Sequence, residues 1–269
     1  MNVREPAVAG YFYPGGGRRL TGMLEEFVHV RREAIDAPAV VCPHAGYPFS
    51  GGVAGKVYAA VKVPGTVVII GPNHTGYGEP YSVASHEAWE TPLGKVAIDR
   101  VFADALVRAS GYLEADEVAH RREHSVEVQV PFLQYLDRDV KIVPIVVSGI
   151  LEDPAWGEIG GVIADARRET ATDVLVVASS DMTHYEPQAR AEENDQYVID
   201  ALLALDAPMF LERMRERRVS LCGYGPILCA LAYARELGAH KGILADYRTS
   251  GDVTGDMEQV VGYAGILFS

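Results

Sequence analysis

Three hydrophobic strand candidates in this chain each end shortly before a histidine or a carboxylate. The polar residues at these ends are His44, His74, Asp181 and His184. Imidazole is the commonest metal ligand among protein side chains, and near neutral pH it also serves as a general base. Packing alone does not require such residues at three separate strand ends. Their placement therefore predicts a metal site.

The turns that carry the first two histidines are alike. His44 lies in the string PHAGY (43–47) and His74 in GPNHTG (71–76), so Pro, Gly or other small residues surround each ring. Small neighbours let the backbone approach a bound ion closely. A histidine in such a turn can instead cap the following helix, and a Gly-rich turn can cradle phosphate. Neither turn matches a phosphate-binding loop or a dinucleotide fingerprint, so the metal interpretation ranks first.

The third strand end supplies a carboxylate and an imidazole three residues apart. Asp181 has three open roles: it can ligate a metal, hold His184 in one tautomer, or cap the turn. His184 is a candidate general base, because its unperturbed pKa lies near neutrality. If Asp181 begins a helical turn, both side chains face one cleft.

The string EHSVEVQVP (123–131) contains a further histidine. Glu127 lies three residues after His124 and shares a face with it if the segment is helical. Taken alone, such a polar cluster is typical of a solvated helix start.

Cys222 comes directly before a helix predicted to begin near Pro226. The dipole at a helix N-terminus favours an anion, which predicts a lowered pKa for this thiol. Thiolate is a good ligand for Zn, Cu and Fe. Cys42 and Cys229 lie in apolar runs and are predicted to be core residues.

Strand-like runs alternate with helix-like runs along most of the chain, which predicts an α/β fold with a mostly parallel sheet. In such sheets, ligands bind beyond the carboxyl ends of the strands. We predict one domain over residues 1–269, and the long polar loop 72–92, with Tyr47, is a candidate wall of the site. The predicted strands are 39–42, 66–70, 141–147, 174–178, 242–247 and 260–267, and the predicted helices are 52–61, 99–110, 125–136, 154–169, 190–205, 208–217 and 225–237.

Composition excludes several classes of partner. The chain has 24 basic and 37 acidic residues, a formal net charge of −13, and no Lys/Arg-rich run. We therefore expect neither nucleic acid nor a membrane surface as a partner. No apolar run approaches the length of a spanning helix, and the N-terminus lacks the apolar core of a signal peptide. With 3 widely spaced cysteines, the expected location is the reducing cytoplasm.

Six strings together resemble the Memo family, protein B of the AmmeMemoRadiSam system, in family order over nearly the whole chain. They are REPAVAGYFYP (4–14), PHAGY (43–47), GPNH (71–74), EHSVE (123–127), SSDMTH (179–184) and CG (222–223). Memo proteins are similar to type III extradiol dioxygenases, non-haem iron enzymes that open catechol rings. The resemblance implies a three-layer α/β/α fold of that type. It also implies work beside a radical S-adenosylmethionine protein and a companion AmmeMemoRadiSam component.

The same resemblance implies roles for individual residues. His44 and His74 match the two metal-binding histidines, His184 matches the acid/base histidine, and His124 matches a second active-site histidine. Cys222 stands where the dioxygenases carry a glutamate as third ligand. A thiolate makes the site softer and shifts metal preference toward copper or zinc. Asp181 could restore a carboxylate to the metal.

Three functions follow as hypotheses. The first is an Fe(II)-dependent oxidoreductase that opens the ring of a small aromatic substrate, with His184, His124 and Asp181 as its catalytic residues. The second is a copper- or iron-binding redox protein without ring-opening activity, with Cu or Zn as possible alternatives to Fe(II). The third is a binding module that uses the same cleft for a peptide or a phosphorylated ligand.

Overall fold

The structure is a computed structural model that describes residues 2–29 and 34–269. Met1 and residues 30–33, which belong to the predicted domain 1–269, lie outside the described residues. The first half of the chain forms β1 (Val3–Arg4), α1 (Gly17–Phe27), β2 (Ala39–Cys42), α2 (Tyr47–Ala60), β3 (Thr66–Pro72), β4 (Tyr81–Val83), β5 (Ala88–Thr91), β6 (Gly94–Ile98), α3 (Arg100–Ala109) and β7 (Glu114–Ala115).

The second half opens with a short 3-10 turn (Glu127–Gln129) that continues directly into the next helix. It forms α4 (Val130–Leu136), β8 (Lys141–Val147), α5 (Ala155–Thr170), β9 (Val174–Ser179), β10 (His184–Glu186), α6 (Gln188–Leu203), α7 (Ala207–Arg217), α8 (Tyr224–Glu236), β11 (Gly242–Thr249), α9 (Gly251–Thr254) and β12 (Val260–Phe268).

The strands join in one large sheet whose main path runs β1-β5-β6-β8-β3-β9-β2-β12-β10. Its centre is parallel, because β8, β3, β9 and β2 all pair in the same direction. Every residue of β2, β3 and β9 is buried, as expected for parallel strands that are covered on both faces. The predicted α/β fold with a mostly parallel central sheet is confirmed.

Helices cover this sheet in two groups. Helix α2 lies on β2, β11 and β12 and also contacts α1 and α4. Helix α8 lies on β2, β3 and β9 and also contacts α5, which in turn contacts α3. Helices α2 and α8 both contact β2, and the full burial of this strand requires cover on both of its faces. This is the three-layer arrangement that the resemblance implies.

The strand register brings the ends of the central strands to one edge of the sheet. Cys42 at the end of β2 is aligned with Ser179 at the end of β9, and Ile70 of β3 is aligned with Ala178. Chain segments that leave these strands therefore start side by side. The predicted convergence of the strand ends follows directly from this register.

Two predictions about local structure are wrong. The segment 72–92 is not a plain loop, because it contains β4, which pairs with β8, and β5, which pairs with β1 and β6. The polar segment at 123–129 is not a solvated helix start, because Glu123, Ser125, Glu127 and Gln129 are all buried. The hydroxyl of Ser125 donates to the carbonyl of Pro72 at the end of β3.

A buried ion pair explains the motif at the N-terminus. Arg4 Nη1 lies 2.7 Å from Glu127 Oε2, and both side chains are almost fully buried. The other guanidinium nitrogens of Arg4 donate to the carbonyls of His120 and Glu123. Glu127 also accepts from the hydroxyl of Tyr13. The N-terminal segment is therefore fastened to the segment that carries His124.

No helix within the two described ranges has both the length and the apolar composition needed to cross a bilayer.

The Arg4–Glu127 pair generates a stability prediction. Glu127→Gln leaves a buried guanidinium without its counter-charge, so we expect the free energy of unfolding to fall by about 3–5 kcal/mol. Glu169→Gln is the matched control, because Glu169 lies 3.7 Å from Arg108 in an exposed pair and should change stability by less than about 1 kcal/mol. Urea denaturation followed by circular dichroism measures both values. Equal effects in the two variants would contradict a structural role for the buried pair.

Candidate metal centre

Three potential ligands meet at the carboxyl edge of the central sheet. The ligand atoms of His44, His74 and Cys222 all lie within 4.8 Å of one another. His44 Nε2 and Cys222 Sγ are 3.3 Å apart. Two ligands on one tetrahedral ion, with metal–nitrogen and metal–sulfur bonds of about 2.0 and 2.3 Å, are about 3.5 Å apart. We call these three residues the metal triad.

His44 is held in the tautomer that a metal ligand needs. Its Nδ1 lies 3.1 Å from the hydroxyl oxygen of Ser179, which donates its own proton to the carbonyl of Ser125. Ser179 can therefore only accept from His44, so the ring proton is on Nδ1 and Nε2 keeps its lone pair. Burial, with the neighbouring imidazoles of His124 and His74, holds the pKa of His44 well below its usual value. The ring is neutral.

His74 is oriented by a buried carboxylate. Its Nδ1 lies 2.9 Å from Glu123 Oε1, and its backbone N–H donates to Glu123 Oε2. Although burial opposes ionisation, the hydrogen bond from His74 and that from the Ser125 amide lower the pKa of Glu123 to about 2. An ionised acceptor on Nδ1 fixes the orientation of the ring and leaves Nε2 of His74 available to a metal.

His74, Glu123 and His124 also form a group with ligand-like spacing. Here the carboxylate already accepts hydrogen bonds from the backbone N–H groups of His74, His124 and Ser125 as well as from the His74 ring. An ion bound by Glu123 would have to displace these donors. We therefore interpret this group as support for His74 and not as a second metal site.

Cys222 lies just before α8, as the sequence predicts, and its sulfur accepts from the backbone N–H of Asp181 at 3.3 Å. The predicted lowering of its pKa is wrong. Burial, with the Asp181 carboxylate beside it, raises the pKa of the Cys222 thiol. Desolvation of a thiolate outweighs the helix dipole here. A metal that binds this sulfur must therefore displace its proton.

Asp181 supports the turn that carries His44. Its Oδ1 accepts from the backbone N–H of His44 at 2.7 Å, and burial raises its pKa. The chain continues from Asp181 into β10 and not into a helical turn. Of the three roles open from the sequence, capping a turn is the one that these contacts describe, and the turn is that of His44. A catalytic role for Asp181 stays a prediction.

His184 begins β10 and is half-buried, and it is near enough to His44 to contribute to the lowered pKa of that histidine. Its Nδ1 lies 2.9 Å from the carbonyl oxygen of Ser220, which can only accept a hydrogen bond. The backbone N–H of His184 donates to the hydroxyl of the same serine. In the neutral form of the ring the proton therefore lies on Nδ1, and Nε2 has the lone pair. This is the form that a general base requires.

His124 lies against both histidines of the triad. Its ring stacks on His74 with centroids 4.6 Å apart and meets His44 edge-on at 5.4 Å. Phe12, from the N-terminal segment, covers another side of the ring at 4.7 Å. Burial lowers the pKa of His124, so its imidazole is neutral beside the site.

Sequence reasoning missed the residues that orient the histidines. Gln129 donates to the carbonyl of Pro43 and to the hydroxyl of Ser179, and its side-chain oxygen accepts from the hydroxyl of Tyr58. Glu123 and Ser179 were visible only as members of polar strings. The signal that could have found them is their position: each flanks a predicted strand end or a site histidine.

The wall of the site differs from expectation in one part. Tyr47 is a core residue, and its hydroxyl donates to the carbonyl of Val128. A cavity of about 140 Å³ adjoins Cys222, and Pro72 and Asn73 of the segment 72–92 line it together with Trp156 and Tyr224. Cys42 and Cys229 are buried core residues, as predicted.

The role of Glu123 generates a prediction about metal affinity. Glu123→Gln weakens the acceptor on His74 Nδ1, so we expect metal affinity to fall by about 10–100-fold. Glu90→Gln removes the same charge from an exposed position on β5 and is the control. Competition titration with a chromophoric chelator measures affinity, and thermal unfolding of the metal-free proteins tests that both variants fold. An affinity of Glu123→Gln equal to that of the control would refute the supporting role.

Comparison with known proteins identifies relatives of this chain. A family model described as Memo-like protein matches residues 4–267. MEMO1 family proteins of Archaeoglobus fulgidus and Aquifex aeolicus are 47% identical over 266 residues and 42% identical over 270 residues. The alignments cover 99% of both chains in the first case and 100% of both in the second. 

One solved structure has the same fold at low sequence identity. It is an uncharacterized protein of Escherichia coli K12, with a TM-score of 0.55 and 17% identity, and the match covers 86% of this chain and 100% of that one. At this identity the likeness concerns the fold alone. The family model and the near full-length relatives decide the family: the chain belongs to the Memo family.

Proposed function

We propose that this Memo-family protein is a metal-dependent oxidoreductase that binds Fe(II) through the metal triad and opens the ring of a small catechol-like substrate. The observation that carries the proposal is the geometry of the triad. Two imidazoles with Nε2 lone pairs and one sulfur lie within 4.8 Å of one another at a sheet edge. Three protein ligands leave further positions on an iron ion open.

The donor set fits a transition metal. His44 and His74 both carry their protons on Nδ1, where Ser179 and Glu123 accept them, so neither ring must change tautomer to bind. Bound Fe(II) would hold vicinal hydroxyls and dioxygen together and polarise them. The protein would supply the orientation of the ligands and the removal of protons from the substrate.

His184 is the proposed base. Its Nε2 lone pair is available because the Ser220 carbonyl holds the proton on Nδ1. A phenolic proton of a substrate bound beside the triad would pass to this nitrogen. His124, neutral and packed on His74 and Phe12, would contact the substrate side of the site without adding a charge.

The direct test is oxygenase activity. Protein loaded anaerobically with Fe(II) and then exposed to air and a panel of catechols should give yellow ring-opened products, followed by visible absorbance and mass spectrometry. His44→Ala, loaded in the same way, is the inactive control. If no catechol in a broad panel is opened by protein that retains stoichiometric iron, the ring-opening proposal is wrong.

If His184 is the base, its substitution should lower the rate of catalysis without lowering metal affinity. His184→Gln should lower kcat by about 10²–10⁴-fold, because positioned proton transfer contributes about that factor. Its Fe(II) affinity should stay within about twofold of the wild type, since His184 is not part of the triad. Steady-state kinetics and metal titration measure the two quantities. Loss of iron in parallel with kcat would instead make His184 a ligand.

The sulfur of Cys222, the third residue of the metal triad, favours a second function. Cys222 supplies sulfur, and the carboxylate of Asp181 is engaged by the backbone N–H of His44. Two imidazoles and one thiolate suit copper, so the same site would serve in binding or redox handling of copper without ring opening.

Substitution of the sulfur separates the two functions. Under the copper function, Cys222→Ser should lower Cu(I) affinity by more than about tenfold while Fe(II) affinity changes less, because thiolate selects the softer ion. Cys229→Ser is the control, since Cys229 is buried in α8 away from the triad. Competition with a Cu(I)-specific chelator measures the affinities. Equal Cu(I) affinity in Cys222→Ser and wild type would rule out a copper site at the triad.

A further inference from the structure

A second cavity lies beside the N-terminal segment. Its volume is about 690 Å³, within the range of about 300–1,000 Å³ that is typical of small-molecule sites. One wall is the segment 2–7, and the other is formed by His86, Glu117, Arg121 and Arg122. No residue of the metal triad lines it.

Two arginines that are adjacent in sequence line this cavity, and neither side chain has a hydrogen-bond or ion-pair partner among the described residues. Arg121 and Arg122 are both exposed, and neither makes a side-chain hydrogen bond or ion pair with any residue in the described part of the chain. Many of the other exposed arginines pair with acids, as Arg215 does with Glu152 and Arg217 with Glu193.

A buried imidazole lies in the same wall. His86 is 7% exposed, and its Nδ1 is buried without a hydrogen-bond partner among the described residues. Its Nε2 lies 3.9 Å from Glu117 Oε2, too far for a hydrogen bond. Because Nδ1 is shielded from the cavity, Nε2 is the nitrogen that a ligand there would contact, and it too has no hydrogen-bond partner among the described residues.

The acidic residues of the cavity form no ion pair with Arg121 or Arg122. Glu117 Oε1 accepts from the side chains of Asn2 and Ser85, and Glu5 is exposed. Arg4 also lines the cavity, but its charge is committed to Glu127. The cations of the lining that form no ion pair among the described residues are therefore Arg121 and Arg122, and Glu5 and Glu117 bring two negative charges to the same lining.

We propose that this cavity binds a phosphoryl group, with the guanidinium groups of Arg121 and Arg122 and the ring of His86 as its donors. Three donor groups match the three terminal oxygens of a phosphate monoester, whereas a carboxylate offers two oxygens. Guanidinium binds phosphate oxygens in a bidentate manner, and a neutral imidazole still carries one N–H donor. The shared chemistry is the phosphoryl dianion, either as free phosphate or as part of an organic phosphate.

The test uses the full chain and two probes, inorganic phosphate and glycerol phosphate, titrated by calorimetry at low ionic strength. Arg121→Gln/Arg122→Gln should weaken binding by about tenfold or more, because hydrogen bonds to charged groups are lost. Arg18→Gln/Arg19→Gln is the matched control, since these adjacent, exposed arginines of α1 lie outside the cavity. It removes the same charge and should stay within about twofold of the wild type.

The outcomes separate this site from the metal centre. His44→Ala should bind both probes as the wild type does, and loss of binding in that variant would place the phosphate at the metal triad and overturn the proposal. Failure of both probes to bind, equal losses in the two arginine pairs, or acetate binding as tight as phosphate would overturn it as well. Tighter binding of the ester than of the free ion would identify an organic phosphate as the ligand class.

Discussion

The site depends on where three imidazole protons are held. The Nδ1 protons of His44, His74 and His184 each go to a protein acceptor, so every Nε2 keeps its lone pair, and that of His44 faces the Cys222 sulfur at 3.3 Å. The acceptors are a hydroxyl, a carboxylate and a carbonyl from Ser179, Glu123 and Ser220. A histidine that carried its proton on Nε2 could neither bind a metal through that atom nor accept a substrate proton there. The fold therefore prepares the rings before any ion or substrate arrives.

These acceptors are themselves fixed by a buried polar network. Gln129 joins the end of β2, through the Pro43 carbonyl, to the end of β9, through Ser179. Ser125 joins the same segment to the end of β3 through the Pro72 carbonyl. Networks of this kind specify one arrangement only when every member is satisfied. The segment 123–129 thus connects the three strand ends from which the site is built.

The sequence predicts what depends on regular structure. The hydrophobic runs at 39–42, 66–70 and 174–178 mark parallel strands, and parallel strands bring His44 and His74 to one edge. The short strands β4 and β5 escape prediction because polar residues dominate their surroundings and their pairing is set by distant strands.

Roles that depend on tertiary contacts also cannot be predicted from the sequence. Glu123 supports a histidine 49 positions away. The pKa of the Cys222 thiol depends on two opposing effects whose sizes the sequence does not give. The helix start favours the thiolate, but burial disfavours it more strongly.

X-ray absorption spectroscopy of the zinc-loaded protein tests the metal triad most directly, because zinc is redox-inert and reports ligand identity alone. We expect one sulfur at about 2.3 Å and two imidazole nitrogens at about 2.0–2.1 Å, with the sulfur lost in Cys222→Ser. A shell of nitrogen and oxygen only, unchanged by that substitution, would contradict it.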